Sequence, residues 1–382
     1  MTFCNRVYHV GVIRRLYINN FRCLQNFDLP IAGMPSALLI GKNGAGKSTI
    51  VAALEVLQKI ARGTNRVGEL IKPTDMTQGQ SGIPVRFEIE AELKTGVYAY
   101  STSFELPTGS KELCVLDESL KCDERFVYTR NGAQIDKPEF RPGGLALESF
   151  SIDSHLVALP IFQFDLVGAF ANTFKQWLAQ MLLLRPIPAL IRGDSEGETL
   201  QPNHHLTDLG AWFTGLLTQA PSAYTKVYDY LRALMPDLKE IRNLPVGADA
   251  RSLVFQFATD SGSIMIPFDG LSDGEKCFVI CALVLAANAS YGPLLCFWDE
   301  PDNYLSLDEV SQFIMAIRRE FQQSGQFIAT SHNPEAIRRF SKENTIALYR
   351  KSHLEPTMAR TLDQMNLQGD LVSSLITGDL WP

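Results

Sequence analysis

The stretch "VIRRLYINNFRCLQNFDLPI" alternates apolar and polar residues and is rich in β-formers, so it predicts two strands, at about 12–19 and 23–30. "SALLIG" is a short continuous apolar run and predicts a buried strand ending at Gly41. From Lys47 the rhythm changes. Ile50, Ala53, Leu54, Leu57 and Ile60 follow the i, i+3, i+4, i+7 spacing of a helix with one buried face. "VRFEIEAEL" then alternates strictly, with Val85, Phe87, Ile89, Ala91 and Leu93 on one side. After a "KTG" turn the alternation resumes at Tyr98, Tyr100, Thr102, Phe104 and Leu106, and "LCVLDESL", "RFVYT" and the Asn131-Gly132 turn extend it. Such a series predicts an antiparallel meander with one wet face.

From about 154 to 236 the pattern reads as mostly helical. Leu206, Leu209, Phe213 and Leu216 form one stripe; Tyr224, Tyr228, Leu231 and Met235 form another, stopped by Pro236. Strands return in "RSLVFQFATD" and "SIMIPFD". The remainder alternates strand and helix: "PLLCFWDE", "SLDEVSQFIMAIRREF", "GQFIATS", "PEAIRRF", "TIALYR". That order predicts an α/β fold with a parallel core sheet, carrying an antiparallel β insertion and a helical insertion. The expected layout is an N-terminal lobe at 1–62, the β insertion at 83–145, the mainly helical insertion at 150–240 and a C-terminal lobe at 245–382. Internal repeats, coiled-coil heptads and low-complexity linkers are absent from the sequence.

Composition narrows the class. The 382 residues are 46% hydrophobic and 20% charged, an ordinary globular balance. The longest apolar run, Cys277 to Ala289, is shorter than a membrane span requires. "MTFCNRVYHVGVIRR" lacks the apolar region of a secretory signal. Seven cysteines without a CxxC pair fit a reducing compartment, so a cytoplasmic location away from membranes is expected. Cys277 and Cys281, at i,i+4, read as buried small apolar residues. A net charge of −7 argues against a globally basic nucleic-acid binder. The clusters Arg14, Arg15, Arg22 and Arg338, Arg339 read as solvated surface.

The chemistry concentrates in a few short segments. Gly41-Lys-Asn-Gly-Ala-Gly-Lys47-Ser48 fits G-x-x-x-x-G-K-[ST] between a predicted strand and a predicted helix. Gly41, Asn43, Gly44, Ala45 and Gly46 let backbone N–H groups converge on phosphate oxygens at a helix N-terminus. Lys47 is placed to bridge the β- and γ-phosphates, Ser48 to ligate Mg2+ and Thr49 to reach the α-phosphate. "LLCFWDEP" ends an apolar strand on two carboxylates: Asp299 for the metal, Glu300 to polarise the attacking water. His332 in "IATSHNPEAI" ends the next strand and can sense the γ-phosphate.

Taken together, "GKNGAGKST", "LSDGEK", "DEPDNYLS" and "TSHNP" resemble the Walker A, signature, Walker B/D-loop and switch-histidine motifs of ABC-type ATPases. The likeness is to the soluble branch that holds SMC, RecF and the ATPase part of OLD-family proteins, and "INNFRCLQNFDL" is similar to that branch's "I-x-N-F-R" opening. The resemblance implies a P-loop NTPase head spanning 1–382 that binds ATP and Mg2+ and hydrolyses ATP. It also implies homodimers or larger homo-oligomers through sandwiched heads. Leu271, Ser272, Asp273, Gly274 and Glu275 carry over as the signature, with Ser272 and Gly274 facing the γ-phosphate held by Gly41–Thr49 of a second copy. Ser306 stands where the family's D-loop carries Asp, which departs from the pattern. Gln163 in "LPIFQFD" is the position for the Q-loop, although "LVALPIF" reads equally well as helix. The stretch after "TIALYR" is too short for the Toprim nuclease of OLD-type proteins. Likeness to phage-defence ATPase subunits of the PtuA and AriA kind implies a separately encoded effector, a nuclease or toxin. The alternative is a RecF-like DNA-repair ATPase that clamps DNA.

Overall fold

The computed structural model describes residues 10–141, 144–162 and 166–365. It shows a mixed α/β protein with several sheets, folded as two compact units, 1–179 with 342–382 and 180–341.

In the first unit the expected meander is an eight-stranded antiparallel sheet. Its spatial order is Phe27–Asp28, Val12–Asn19, Val85–Leu93, Gly96–Glu105, Cys114–Cys122, Arg125–Asn131, Gln134–Arg141 and Gly144–Ser151. Val85–Leu93 is buried at every second residue, the burial its alternation calls for. The inner face packs aromatic rings: Phe21 meets Phe87 at 5.1 Å between centroids, and Tyr98 stacks on Phe174 of the helix Leu166–Ala179 at 5.7 Å. The stretch read as a strand at 23–30 pairs only at Phe27–Asp28. Asn20, Arg22 and Asn26 all have positive φ, and Phe21 bridges Leu24, so the chain reverses tightly there. Apolar spacing alone does not reveal such a reversal.

The same sheet buries a charge. Within Cys114–Cys122, Glu118 falls on the inward-facing positions with Leu120 and Cys122, opposite Thr102, which places its carboxylate in the core. Its carboxylate accepts from Tyr100 Oη (2.9 Å), Tyr128 Oη (2.7 Å), Ala158 N (2.8 Å) and Leu159 N (3.0 Å), with Arg130 at 3.5 Å. Four donors and a guanidinium offset the desolvation a lone buried carboxylate would suffer. Burial and the adjacent Glu118 push the Tyr100 and Tyr128 phenols well above their usual range. The network pins the segment 153–159 against the sheet.

Also in this unit, the buried strand Ser36–Ile40 pairs in parallel with Thr345–Tyr349, which pairs antiparallel with Met358–Thr361. The helix Lys47–Ala61 follows, with Ile50, Ala53, Leu54, Leu57 and Ile60 all buried.

The second unit holds three parallel strands, Leu182–Leu184, Leu295–Asp299 and Gln326–Thr330. The first is a correction. Among its described residues the stretch read as mainly helical has α-helices at Leu166–Ala179, Leu209–Gln219 and Ala223–Leu234, and its apolar Leu182–Leu184 joins the parallel strands. Three residues are too few for periodicity to separate strand from helix. A further antiparallel sheet comprises Leu238–Val246, Ala250–Thr259 and Gly262–Pro267, with Asp194–Ser195 paired to its central strand. The apolar run at Cys277 extends into the 19-residue helix Asp273–Tyr291, long and apolar enough by composition to cross a membrane. Here it packs inside protein, against Ala223–Leu234 and Leu307–Phe321. Cys277 and Cys281 lie within it, buried and free, and burial pushes the Cys277 thiol up to about 12.

The arginine clusters are paired. Arg14 binds Glu92, Arg15 binds Asp28 and Glu88, Arg22 binds Asp75, and Arg338 and Arg339 both reach Glu335. The first cluster is matched by Glu92, Asp28, Glu88 and Asp75, whereas Arg338 and Arg339 share the single carboxylate of Glu335.

Candidate functional site

Within the first unit, the glycine-rich segment 41–46 joins the strand Ser36–Ile40 to the helix Lys47–Ala61. Gly44 and Gly46 have positive φ, and Gly46, at 104°, caps the helix without any side-chain hydrogen bond. The helix therefore opens on backbone alone, an electropositive end suited to an anion. Space also demands glycine at 46, because a Cβ there would lie 2.7 Å from Thr357 Oγ1 and 3.1 Å from Cys23 Sγ. Lys47 is 8% exposed, and its ammonium donates to Gly41 O at 2.6 Å. Ser48 and Thr49 occupy the first turn, and Cys23 Sγ donates to Thr49 Oγ1 at 3.4 Å.

The loop is braced by a segment the sequence did not single out. Thr357 Oγ1 donates to Ala45 O (3.0 Å), and Thr357 N donates to Cys23 O (3.0 Å). Arg350 donates to His353 O (2.7 Å), Glu355 O (2.9 Å) and Gly44 O (3.4 Å). A cavity of about 310 Å3 opens there between Lys42–Ala45 and Leu348–His353, flanked by the cationic side chains of Lys42, Arg350 and Lys351. The signal available in the sequence was weak: "RKSHLEPT" is polar and follows a strand, which is what any loop looks like.

Within the second unit, Asp299 ends the strand Leu295–Asp299 and Glu300 follows it. Thr330, on the neighbouring strand, links both: its hydroxyl donates to Asp299 Oδ1 (2.6 Å) and accepts from Glu300 N (2.9 Å). Glu300 has φ 51°, a left-handed conformation costing a non-glycine residue about 1 kcal/mol. Its carboxylate is engaged at both oxygens: Oε2 accepts from Asn303 Nδ2 (2.7 Å) and Oε1 lies 3.8 Å from His332 Nε2. Asp302, 4% exposed, accepts from Ser331 Oγ at 2.6 Å, and burial pushes its carboxyl up. Asp302 and Ser331 tie the turn carrying Glu300 to the turn carrying His332, a link invisible to motif spacing.

The segment Leu271–Glu275 begins the helix Asp273–Tyr291 as expected, but its N-terminus is closed on itself. Ser272 N and Oγ both donate to Glu275 Oε2 (2.7 Å each), and Glu275 N donates to Ser272 Oγ (3.3 Å). This capping box contrasts with the open end at Gly46. Gly274 faces Tyr304 O, which a Cβ would approach to 3.1 Å. Ser306 likewise caps Leu307–Phe321, with its N–H donating to Glu309 at 2.7 Å. Replacing Glu275 by Ala opens the box and should lower stability by about 1 kcal/mol in chemical denaturation; no change would mean the box is not held in solution. Gln163 lies outside the described residues.

By chemistry, the Ser48 hydroxyl in the first unit and the Asp299 carboxylate in the second are each an oxygen ligand suited to Mg2+, and segment 41–49 suits a polyphosphate. Among the described residues there is no cluster of three or more His, Cys, Asp or Glu that could hold a metal ion.

Comparison with known proteins adds to this. The family described as RecF/RecN/SMC N terminal domain matches residues 12–355. A stretch of 46 residues is 44% identical to the OLD nuclease of Thermus scotoductus (strain ATCC 700910 / SA-01), covering 12% of this chain and 8% of that protein. Among solved structures, the Smc head bound to the C-winged helix domain of ScpA aligns with TM-score 0.48 and 15% identity over 93% of this chain and 99% of its own. The SMC head domain from Thermotoga maritima gives 0.47 and 12% over 91% and 98%. The Smc head with an extended coiled coil, bound to the C-terminal domain of ScpA derived from Pyrococcus furiosus, gives 0.44 and 12% over 92% and 97%.

Proposed function

We propose that this chain, which belongs to the RecF/RecN/SMC N-terminal domain family and is an SMC/RecF/OLD-like ABC ATPase, binds and hydrolyses ATP as a switch that assembles with itself and controls a separately encoded effector. The observation that carries the hydrolytic half is Glu300: a strained residue, held on the Thr330 hydroxyl, with a carboxylate set by Asn303 beside His332. Strain of this kind persists only where the surrounding structure holds it, and such residues cluster at active sites.

In this reading the N–H groups of segment 41–49 bind the phosphates. Lys47 leaves Gly41 O and places its charge on the β- and γ-oxygens. Ser48 and Asp299 would each offer Mg2+ an oxygen ligand, and the cation would neutralise charge on the phosphates and on the departing ADP. Glu300 accepts a proton from the attacking water, Asn303 keeps the carboxylate oriented, and His332 stabilises charge at the γ-phosphate. The products are ADP and phosphate.

The signature supports assembly. Ser272 spends its hydroxyl on Glu275, so reaching a second chain's nucleotide requires the box to open. Phosphate at the helix end would compensate for the lost cap. Each nucleotide thus draws the helix end of a second copy onto itself, and ATP-bound assembly and the released state present different surfaces to an effector. A nuclease or toxin in anti-phage defence is the effector class this reading favours.

Mixing chains tests completion in trans. A Ser272→Arg chain keeps its own phosphate loop and a Lys47→Ala chain keeps its signature, so each alone should be inactive. Their mixture should regain about one working site per heterodimer, read as ATP turnover. A mixture as inactive as its parts would count against the shared site, and ATP-dependent, salt-sensitive DNA binding would favour the RecF-like clamp.

A further inference from the structure

We infer that Arg185 is a positioning residue that holds Asp299 in the nucleotide-free chain and is displaced by the arriving divalent cation. The inference rests on the nucleotide reading above, but its geometry is independent of it. Leu182, Leu183 and Leu184 pair in parallel with Cys296, Phe297 and Trp298. The next residue of each strand, Arg185 and Asp299, therefore leaves the sheet side by side. Arg185 Nε lies 3.5 Å from Asp299 Oδ2, while Thr330 occupies Oδ1 from the opposite strand. Asp299 is thus flanked on both sides, by a hydroxyl and by a guanidinium.

The two members of the pair differ in freedom. The Asp299 side chain is 11% exposed and fixed, whereas that of Arg185 is 65% exposed. The arginine's backbone is nonetheless anchored. Its N–H donates to His204 O at 2.7 Å, and its carbonyl is 2.9 Å from His205 Nδ1. His204 Nδ1 in turn lies 2.7 Å from Leu183 O. A rigid stem with a solvated, rotatable head is what a displaceable counter-ion needs.

Charge decides the order of events. Without a cation, two adjacent carboxylates, Asp299 and Glu300, face one end of the strand, and the guanidinium reduces the repulsion there. A compact dication at the same carboxylate oxygen outcompetes a guanidinium at 3.5 Å, and like charge then drives the arginine off. An exposed pair of this kind is worth up to about 1 kcal/mol, which corresponds to about a fivefold change in cation affinity.

The test titrates the nucleotide-free full chain with Mn2+, followed by electron paramagnetic resonance. Arg185→Ala should bind Mn2+ about fivefold more tightly than wild type. Arg185→Lys, which retains the charge, should fall between the two. The gain should vanish in Arg185→Ala/Asp299→Asn. Unchanged or weaker binding in Arg185→Ala overturns the inference, as does a gain that survives loss of Asp299. A parallel titration with a slowly hydrolysed ATP analogue separates the two proposals. Failure of wild type to bind the analogue at any Mg2+ concentration sinks the nucleotide reading, while the Mn2+ result still decides the role of Arg185.

Discussion

Replacing Lys47 by Ala should lower affinity for Mg2+-ATP at least about 100-fold, measured by calorimetric titration with a slowly hydrolysed analogue. The side chain is almost wholly buried, and its ammonium already sits on the loop's own Gly41 carbonyl. Its stem is already packed, so binding has only to move the ammonium from Gly41 O onto phosphate oxygens. Charge-assisted hydrogen bonds to charged oxygens contribute about 1.5–3 kcal/mol each, and two of them exceed a factor of 100. The same substitution removes a donor from Gly41 O, so a modest fall in thermal stability should accompany it. Unaltered affinity in a folded variant would refute the phosphate role of the loop.

Glu300→Gln should leave nucleotide affinity within about twofold of wild type and cut turnover by about 100- to 1000-fold, the range general-base removal produces. The substitution is close to isosteric. A glutamine Oε1 can still accept from Asn303 Nδ2, and the backbone contact with Thr330 is untouched. What it loses is the capacity to take a proton. The predicted signature is therefore a split between binding and rate, read as single-turnover hydrolysis beside equilibrium titration. A parallel loss of both would point to collapse of the strained turn, and wild-type turnover would remove Glu300 from the chemistry.

These predictions rest on features of unequal visibility. Alternation at Val85–Leu93 and the helical spacing from Ile50 to Ile60 are local signals, and local burial follows them residue by residue. The glycine loop was legible because its requirement for positive φ and close approach is written in residue type. Glu118 was not, because a carboxylate on the inward face with Leu120 and Cys122 is tolerated only through partners from elsewhere in the chain, Tyr100, Tyr128 and Ala158–Leu159. Leu182–Leu184 was too short to show a period, and with it went the neighbour that places Arg185 beside Asp299. The closed capping box at Ser272 has an ordinary sequence pattern, S-x-x-E. Its meaning changes only when set beside the open helix end at Gly46. The missing signals share a cause: each depends on which distant segment lies alongside, and a periodicity of 2 or 3.6 carries no information about that.

The central claim is that ATP, once bound and not hydrolysed, holds copies of this chain together. The most direct measurement is the mass of the Glu300→Gln chain in solution by light scattering, with Mg2+-ATP and with Mg2+-ADP. A dimer or larger assembly is expected with ATP, lost with ADP, and absent when Ser272→Arg is added. The same mass under both nucleotides, or an ATP-dependent assembly indifferent to Ser272, would contradict it.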